Sequence, residues 1–493
     1  MNTDINFKKH TLIAFGLGLC CFLITAINSH GYFHADEHYQ IIEFAGKLLG
    51  THQDYDLAWE HAAQIRPTIQ VYIAASIIRG SQFIGIEDPY FQAMILRLLS
   101  AVLSLIVIFK LVKSLIVNIE TKAVQYLLIY SSFLLWFIPY LGVRFSSETW
   151  SGLFFTLGLA TFWNKNEKAK FSWLGIYFSL AFLFRFQIAF AEIAVIIYWL
   201  LTKKIFYSQL WNFSKYFLII IVLGSTLDTL FYGEFTFTPW NYFESNILDS
   251  KAAEYGLSPF YYYLNKLLFY PTLPLGVLFY ISFIYQGIYK RNDVWWAFLI
   301  FLVAHSLVGH KEERFLFPFF ALFPYLLLSG FDQILKRLKT VENRKPVIIM
   351  LTSAFVFTSL IGLPTLAFKA AGIGHMGLSQ IIHNTDSERI QLIYMDWSSP
   401  YNPFGLKAKF YNDSNLEEIH LSNLCDLNKD LFDPNLKTFL VLRVFDYKHS
   451  TCQEKLDEMG FHLRKSSIPA WTNRLNNYYG GYENYVTILL FEK

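Results

Sequence analysis

About eleven apolar runs, most of them long enough to cross a lipid bilayer as helices, limit what this chain can fold into. A helix that crosses the hydrocarbon core needs roughly 17–25 apolar residues. The fifth and sixth runs are short and meet at Arg185, so they form either a tight hairpin or a partly broken pair. The pattern predicts a polytopic, all-α membrane domain. The runs lie at about 11–28, 90–109, 123–140, 146–163, 171–185, 188–202, 213–231, 267–289, 294–309, 315–335 and 347–369.

The composition fits a protein whose surroundings are membrane lipids. Of the 493 residues, 54% are hydrophobic and only 16% are charged, whereas roughly a quarter of the residues in soluble domains are charged. The formal net charge of +3 is too small to indicate a nucleic-acid partner. The distribution of the charges along the chain is therefore more informative than their sum.

The positions of Lys and Arg predict the orientation, because these residues favour cytoplasmic loops. With the N-terminus inside, successive hairpins all place their basic clusters on the cytoplasmic side, and the opposite side keeps only isolated cations. These clusters comprise Lys8, Lys9, Lys110, Lys113, Lys122, Lys165, Lys168, Lys170, Lys203, Lys204, Lys290, Arg291, Lys336, Arg337, Lys339, Arg344 and Lys345.

One further apolar run, at 66–86, decides the number of spans. If this run crossed the membrane, every later segment would change sides and nearly all basic clusters would face outward. We therefore expect an interfacial helix on the outer surface, with Arg66 and Arg79 at the boundary. The run at 38–49 is expected to form a second interfacial helix. The first external loop, about 29–88, is thus predicted to be long and structured.

After about residue 370 the composition becomes polar, and short β-prone runs alternate with a helical stretch. This pattern predicts a small extracytoplasmic α/β domain at 371–493, following a transmembrane domain at 1–370. The β-prone runs begin at Ile390, Lys437 and Tyr485, and the helical stretch begins at Gln453. Cys425 and Cys452 lie in this region and are able to pair if it faces an oxidising compartment, but no spacing rule decides whether they do.

Charged clusters that are too polar for a membrane interior all fall on the predicted outer side. Acidic and basic groups collected at one water–lipid boundary indicate a chemical site. The clusters are His34 to His38 (HADEH), Arg144 to Glu148 (RFSSE), Arg185, Tyr232 to Glu234 (YGE) and His310 to Arg314 (HKEER).

Each cluster also has a structural interpretation. Asp36 and Glu37 fit an ordinary polar helix end, but they open a long amphipathic loop, which favours a general base at the membrane surface. Lys311 and Arg314 fit either a salt-bridged cap or a phosphate site. Arg144 and Arg185 are candidates for the same phosphate, although each alone suits an interfacial anchor. The aromatic segment around Tyr232 is either an interface belt or a surface on which sugars stack. The histidines and acids lack zinc-ligand spacing, so we expect no metal and no cofactor.

Several of these segments resemble the dolichyl-phosphate-mannose-dependent mannosyltransferases that extend GPI anchors and lipid-linked glycan precursors, which are GT-C membrane glycosyltransferases. The resemblance covers about residues 30–330, and MDWSSPYNPFG from Met395 is similar to a later segment of that family. Two departures leave the sugar and the acceptor open: Ala35 stands where a proline is usual, and RFSSE is an altered motif. The matching segments are HADEHYQIIEFA, AWEHAAQIRPTI, RFSSETWSGLFF, LDTLFYGEFTFTPWNYFESN, EYGLSPFYYYL and HKEERFLFPFF.

The resemblance implies a GT-C-like fold and an inverting transfer of a sugar, most simply mannose, from a polyprenyl- or dolichyl-phosphate donor to a glycan or glycolipid acceptor. Asp36 would be the base, and Glu37 would be a secondary acid. The cations Arg144, Arg185, His310, Lys311 and Arg314 would hold the donor phosphate. The side chains expected to contact the acceptor or the sugar are His34, His38, Tyr232, Glu234 and Glu313.

Two alternatives stay open. A transporter or lipid flippase also uses many spans and intramembrane charges, but it favours charges near mid-membrane and inverted repeats. A GT-C enzyme with another polyprenyl-phosphate sugar is the nearer alternative. The protein is expected in a bacterial inner membrane or the endoplasmic reticulum, with its active site extracytoplasmic or luminal.

Overall fold

The computed structural model describes residues 2–164, 170–249, 251–338, 340–403, 405–412, 415–433, 435–469 and 487–493. Some predictions fall outside these residues: three lysines of the cytoplasmic clusters (Lys165, Lys168 and Lys339) and the start of the last strand at Tyr485.

The α-helices are α1 (Asn2–Asn28), α2 (Ala35–Tyr39), α3 (Ile42–Leu49), α4 (Trp59–Ala62), α5 (Ile69–Phe83), α6 (Pro89–Leu115), α7 (Lys122–Leu134), α8 (Phe137–Gly142), α9 (Ser147–Trp163), α10 (Lys170–Phe184), α11 (Ala189–Leu201), α12 (Tyr207–Tyr232), α13 (Thr238–Phe243), α14 (Tyr262–Phe269), α15 (Leu273–Tyr289), α16 (Asp293–Leu307), α17 (Phe323–Arg337), α18 (Val341–Ala367), α19 (His375–His383), α20 (Val444–His449) and α21 (Glu454–Glu458).

Helices lie within every predicted span, and the mostly helical character expected from the sequence is confirmed. Among the described residues, five helical stretches are long and apolar enough to cross a membrane, or six if the bent pair α14–α15 is one span. Three shorter apolar helical stretches lie at Lys170–Phe184, Phe186–Leu201 and Asp293–Leu307. The number of eleven spans stays a prediction. The five stretches are Asn6–Asn28, Pro89–Asn118, Tyr207–Tyr232, Glu313–Arg337 and Val341–Ala367.

The first predicted loop is structured, since it contains α2 to α5. The run at 38–49 is divided between α2 and α3, and the run at 66–86 forms α5. With 15 residues, α5 is about 22 Å long, which is short for a hydrocarbon core of about 30 Å. Its length does not by itself separate the predicted interfacial position from a span, since α10 and α16, which lie in predicted spans, also have 15 residues.

By their internal contacts, the residues form two compact units. The first unit comprises Met1–Ala26, Ala63–Ile73 and Leu96–Ala367, and the second comprises Ile27–Ala62, Ala74–Ile95 and Phe368–Lys493. Most of the first predicted loop thus belongs with the C-terminal part of the chain. The simple division at residue 370 stays a prediction.

In the first unit, α9 is a central element that packs against α10 and against the 3-10 helix Glu313–Leu322. A glycine on α9 makes the second contact possible: a Cβ at Gly152 would lie 2.2 Å from the carbonyl oxygen of Pro318. The backbone of the 3-10 helix therefore approaches α9 more closely than any other residue type at this position would allow. This contact places Arg314 beside the first turn of α9.

The second unit contains a five-stranded sheet with the order β2-β1-β3-β5-β4. Strand β1 is parallel to β2 and β3, whereas β5 is antiparallel to β3 and β4. One face carries an apolar core that includes Ile393, Leu440, Leu442 and Phe491. Cys425 and Cys452 are joined by a disulfide. The strands are β1 (Ile390–Met395), β2 (Leu416–Leu421), β3 (Lys437–Arg443), β4 (His462–Ser466) and β5 (Ile488–Glu492).

Candidate active site

A buried ion network in the first unit has Glu148 at its centre. One carboxylate oxygen of Glu148 accepts a hydrogen bond from Arg314 Nη1 at 2.9 Å and forms an ion pair with Arg185 Nη1, also at 2.9 Å. Arg314 also donates from Nε to Glu312, whose other oxygen lies 2.9 Å from His310 Nε2. The network thus joins side chains from three distant sequence motifs.

Local sequence explains why these groups meet. Ser146 caps α9 by accepting a hydrogen bond from the backbone N–H of Thr149, so Glu148 lies in the first turn, where helix dipoles favour an anion. Arg185 lies in extended backbone between α10 and the short 3-10 helix Phe186–Ile188. The two guanidinium groups lie over the Phe315 ring, at 4.9 Å for Arg185 and 5.3 Å for Arg314.

His310 is the member of the network whose pKa the surrounding residues raise from the ordinary imidazole value. Its hydrogen bond with Glu312 raises the pKa of the imidazole and outweighs the lowering by burial. Because this pKa is raised, the imidazole stays protonated up to a higher pH. The network therefore carries an additional positive charge over a wider pH range. Such a charge favours the binding of an anion.

Lys311 and Glu313, from the same motif, have other contacts. The Lys311 ammonium donates to the carbonyl oxygens of Ser258 at 2.8 Å and Val308 at 2.5 Å. Glu313 pairs with Lys266 at 2.6 Å. Lys311 therefore fixes local backbone, and Glu313 is directed to α14 rather than to Glu148.

Arg144 lies just after α8 and is 1% exposed. Its guanidinium lies 5.2 Å from the centre of the Tyr140 ring. Arg144 is thus a further buried cation of the first unit. Within the Glu148 network itself, Arg185 and Arg314 stand against the carboxylates of Glu148 and Glu312, and a protonated His310 adds one positive charge.

Tyr232 and Glu234 contact the chain segment that precedes α5. The Tyr232 hydroxyl donates to the carbonyl oxygen of Arg66 at 2.9 Å, and Glu234 accepts a hydrogen bond from Gln64. One residue that the sequence did not single out, Asp228, anchors the same segment. Its carboxylate accepts from both the backbone N–H and the hydroxyl of Thr68 at 2.7 Å, and from the Thr238 hydroxyl at 2.7 Å.

In the second unit, the two adjacent acids of the first loop have different contacts. His34 caps α2, and its Nδ1 lies 3.5 Å from a carboxylate oxygen of Asp36. Glu37 is 8% exposed and accepts a hydrogen bond from the backbone N–H of Phe33 at 3.1 Å. The side chain of Asp36 is 17% exposed. Asp36 is therefore the more accessible acid, and Glu37 stabilises the loop backbone.

His38 belongs to a buried cluster around Glu43. His38 Nε2 donates to one carboxylate oxygen of Glu43 at 2.5 Å, and His52 Nε2 donates to the other. The His38 ring is stacked between Tyr32 and Tyr411. Burial alone would raise the pKa of Glu43, but the charges and hydrogen bonds of the two histidines lower it to about 2. The cluster holds the loop that carries Asp36.

The structure thus joins Arg185, His310 and Arg314 in one network, together with Glu148 and Glu312, which the sequence did not assign as site residues. The signal for Glu148 was present, since it ends the RFSSE motif. Its pairing with residues 37 and 166 positions away was not visible. Among the described residues, no group of three or more His, Cys, Asp or Glu side chains is arranged to hold a metal ion.

The model of the Alg9-like mannosyltransferase family matches residues 14–397, and the chain belongs to this family. Together with the long apolar helices, this membership identifies an integral membrane protein. GPI mannosyltransferase 3 of Candida albicans is 25% identical over 336 residues, which are 66% of this chain and 65% of that protein. GPI alpha-1,2-mannosyltransferase 3 of Homo sapiens is 25% identical over 358 residues, which are 69% of this chain and 59% of that protein. The match therefore spans less than two thirds of either relative.

A solved structure shows the same fold. ArnT from Cupriavidus metallidurans, crystallised with undecaprenyl phosphate, superposes with a TM-score of 0.52 at 11% sequence identity. The superposition covers 98% of this chain and 97% of ArnT. The GT-C-like architecture expected from the sequence is confirmed at this level.

Proposed function

We propose that the protein transfers a mannosyl residue from a polyprenyl- or dolichyl-phosphate donor to a glycan or glycolipid acceptor on the extracytoplasmic or luminal face. The observation that carries the proposal is the buried network of Arg185, Glu148 and Arg314 in a chain of the Alg9-like family. The names of the relatives support mannose as the sugar and a glycolipid as the acceptor.

The phosphate of the donor binds at the cationic network. A phosphodiester brings one negative charge, which the guanidinium groups of Arg185 and Arg314 and the protonated form of His310 pair with in a site shielded from water. Arg185 and Arg314 are held in fixed orientation by Glu148, so little side-chain entropy is lost when the phosphate binds. The protonated form of His310 adds to this stabilisation.

The transfer itself needs one base and one leaving group. The Asp36 carboxylate takes the proton of an acceptor hydroxyl, whose oxygen forms the new bond to the anomeric carbon. The bond between that carbon and the donor phosphate oxygen breaks, and its electron pair stays on the lipid phosphate. Stabilising the growing charge on this oxygen is the role of the arginines. A single displacement inverts the anomeric configuration.

Purified protein incubated with a panel of polyprenyl-phosphate sugars and a mannose-containing acceptor tests the proposal. We expect release of lipid phosphate and a lengthened acceptor with the mannosyl donor. Asp36→Asn is expected to lower kcat by at least about a hundredfold, since general-base catalysis contributes about 10²–10⁴-fold. Donor binding is expected to remain, because the proposed phosphate site is formed by the cationic network and not by Asp36.

Asp54→Asn is the matched control. Asp54 lies in the same loop, but its side chain is 69% exposed and pairs with Lys47, so turnover should stay at the wild-type level. Normal turnover of Asp36→Asn would exclude Asp36 as the base. A protein that only moved lipids across the membrane would release no lipid phosphate with any donor.

A further inference from the structure

The carboxyl ends of the three parallel strands in the C-terminal sheet carry a cluster of polar side chains that the transfer reaction does not use. Asp396 directly follows β1, His420 lies next to the end of β2, and Arg443 ends β3. In the strand order β2-β1-β3, the chain runs from β1 to β2 on one side of β1 and then crosses to β3 on the other side of β1. Ligands of parallel sheets bind at the carboxyl edge where the direction of winding changes in this way.

The turn after β1 has a constrained backbone. Asp396 has a φ of +38°, which non-glycine residues rarely adopt. Ser398 holds the turn: its hydroxyl accepts from the backbone N–H of Met395 at 3.0 Å and donates to the carbonyl oxygen of Val441 in β3 at 2.8 Å. Strain of this kind costs about 1–3 kcal/mol and is concentrated at functional sites.

The same turn presents a large apolar ring to solvent. Trp397 is 59% exposed, although it is the kind of side chain that proteins ordinarily bury in large part. Its inner edge packs near Gly405, where a Cβ would lie 3.3 Å from the ring. The ring is thus supported on one side and accessible on the other, next to the polar cluster.

The charges of the cluster favour a neutral ligand with hydroxyl groups. Arg443 is already bound by both oxygens of Asp446, at 2.6 and 3.0 Å. The Asp396 carboxylate makes long contacts, at 3.4 Å to His420 Nε2 and 3.9 Å to Arg443. The carboxylates of Asp396 and Asp446 therefore both face the guanidinium of Arg443. Their negative charges would repel a phosphate at this position. An accessible carboxylate beside an exposed indole is suited to a sugar, whose hydroxyls donate to the acid while its C–H face stacks on the ring.

We propose that Trp397 and Asp396 form a sugar-binding subsite that recognises a mannose unit of the acceptor glycan, away from the reacting hydroxyl. The assignment of the sugar to the acceptor rests on the proposed mannosyl transfer. His420 and Arg443 orient the Asp396 carboxylate in this subsite.

Titration of the full-length protein in detergent with α-1,2-mannobiose, followed by saturation-transfer NMR, tests the subsite without any donor. We expect Trp397→Ala to weaken binding about tenfold and Trp397→Phe to retain most of it, because the ring supplies the stacking surface. Asp396→Asn is expected to weaken binding severalfold. Inorganic phosphate is expected not to compete.

Leu463→Ala is the matched control, since Leu463 is 57% exposed and lies on β4, at the opposite edge of the sheet from β2. Asp396→Gly separates binding from folding: it relieves the positive φ, so thermal stability should rise while mannobiose affinity falls. Mannobiose binding by Trp397→Ala at wild-type affinity, or no binding by the wild type, would overturn the subsite. The titration is repeated with Asp36→Asn, so that loss of transfer and loss of sugar binding are measured separately.

Discussion

Glu148 illustrates how a single residue organises the candidate site. Its side chain is 3% exposed, and one of its oxygens is shared by two guanidinium groups. Removing one partner of a buried ion pair costs about 3–5 kcal/mol, because the remaining charges stay desolvated and unpaired. The residue is therefore expected to matter for stability as well as for the orientation of Arg185 and Arg314.

For Glu148→Gln we expect a loss of about 3 kcal/mol in stability and a strong loss of donor binding. Thermal unfolding in detergent and the transfer assay measure the two effects. Glu254→Gln is a suitable control, since Glu254 is 63% exposed and its partner Lys251 is 38% exposed, and such surface pairs contribute little to stability. Equal unfolding temperatures for both variants would contradict the central role of Glu148.

The Glu43 cluster gives a pH dependence. Its pKa is lowered from 4.5 to about 2, so the carboxylate stabilises the fold above pH 4.5, and this contribution is lost as the pH falls towards 2. The difference corresponds to about 3 kcal/mol at neutral pH. Unfolding temperatures of the wild type and Glu43→Gln should therefore differ at pH 7 and converge as the pH falls below 4.5. A difference that stays constant down to pH 3 would contradict this assignment.

The charged motifs that contribute to the network could be identified from the sequence, but the pairing of their side chains could not. The HKEER motif supplied Arg314 and His310, yet adjacent Lys311 and Glu313 turn to the backbone of Ser258 and to Lys266. Contacts of this kind depend on how α14 approaches the motif. No local pattern of charge contains that information.

At the scale of elements, close approach of the 3-10 helix Glu313–Leu322 to α9 sets the site geometry. We predict that Gly152→Ala destabilises the protein by about 1–3 kcal/mol and separates Arg314 from Glu148, because the new Cβ meets the Pro318 backbone. Both unfolding temperature and donor affinity should fall. Gly80→Ala, whose Cβ meets no atom within 4 Å, should be neutral or slightly stabilising. Parallel effects in the two variants would contradict the steric argument.

The strands show where sequence patterns are sufficient and where they fail. The apolar runs from Ile390 and Lys437 were predicted and form β1 and β3. Strands β2 (LEEIHL) and β4 (HLRKS) were missed because they are polar. Both lie at the edges of the sheet, where charged side chains prevent pairing with other chains. The polar side chains that keep an edge strand from pairing with other chains also remove the run of apolar residues by which a strand is recognised in the sequence.

At the scale of the whole molecule, the predicted topology depends on α5 not crossing the membrane. In a variant without Cys20 and Cys21, a single cysteine at Tyr207 should react with an impermeant maleimide only from the cytoplasm. A cysteine at Leu257 should react only from outside. Both positions are well exposed, at 85% and 73%, so low reactivity cannot come from burial. Labelling after permeabilisation is the control, and the reverse pattern would mean that α5 spans the bilayer.

The second unit joins chain segments that the ribosome makes far apart in time. The carbonyl oxygen of His30 accepts from the N–H of Ala371 at 2.8 Å, Tyr39 donates to the carbonyl of Leu406 at 2.7 Å, and Glu43 accepts from the N–H of Phe410 at 3.2 Å. At about 5–20 residues per second, the segment around Asp36 emerges tens of seconds before these partners exist. The loop that carries Asp36 therefore cannot complete its folded contacts until the C-terminal part of the chain has been made, so under the proposed function a nascent chain would not yet transfer sugar.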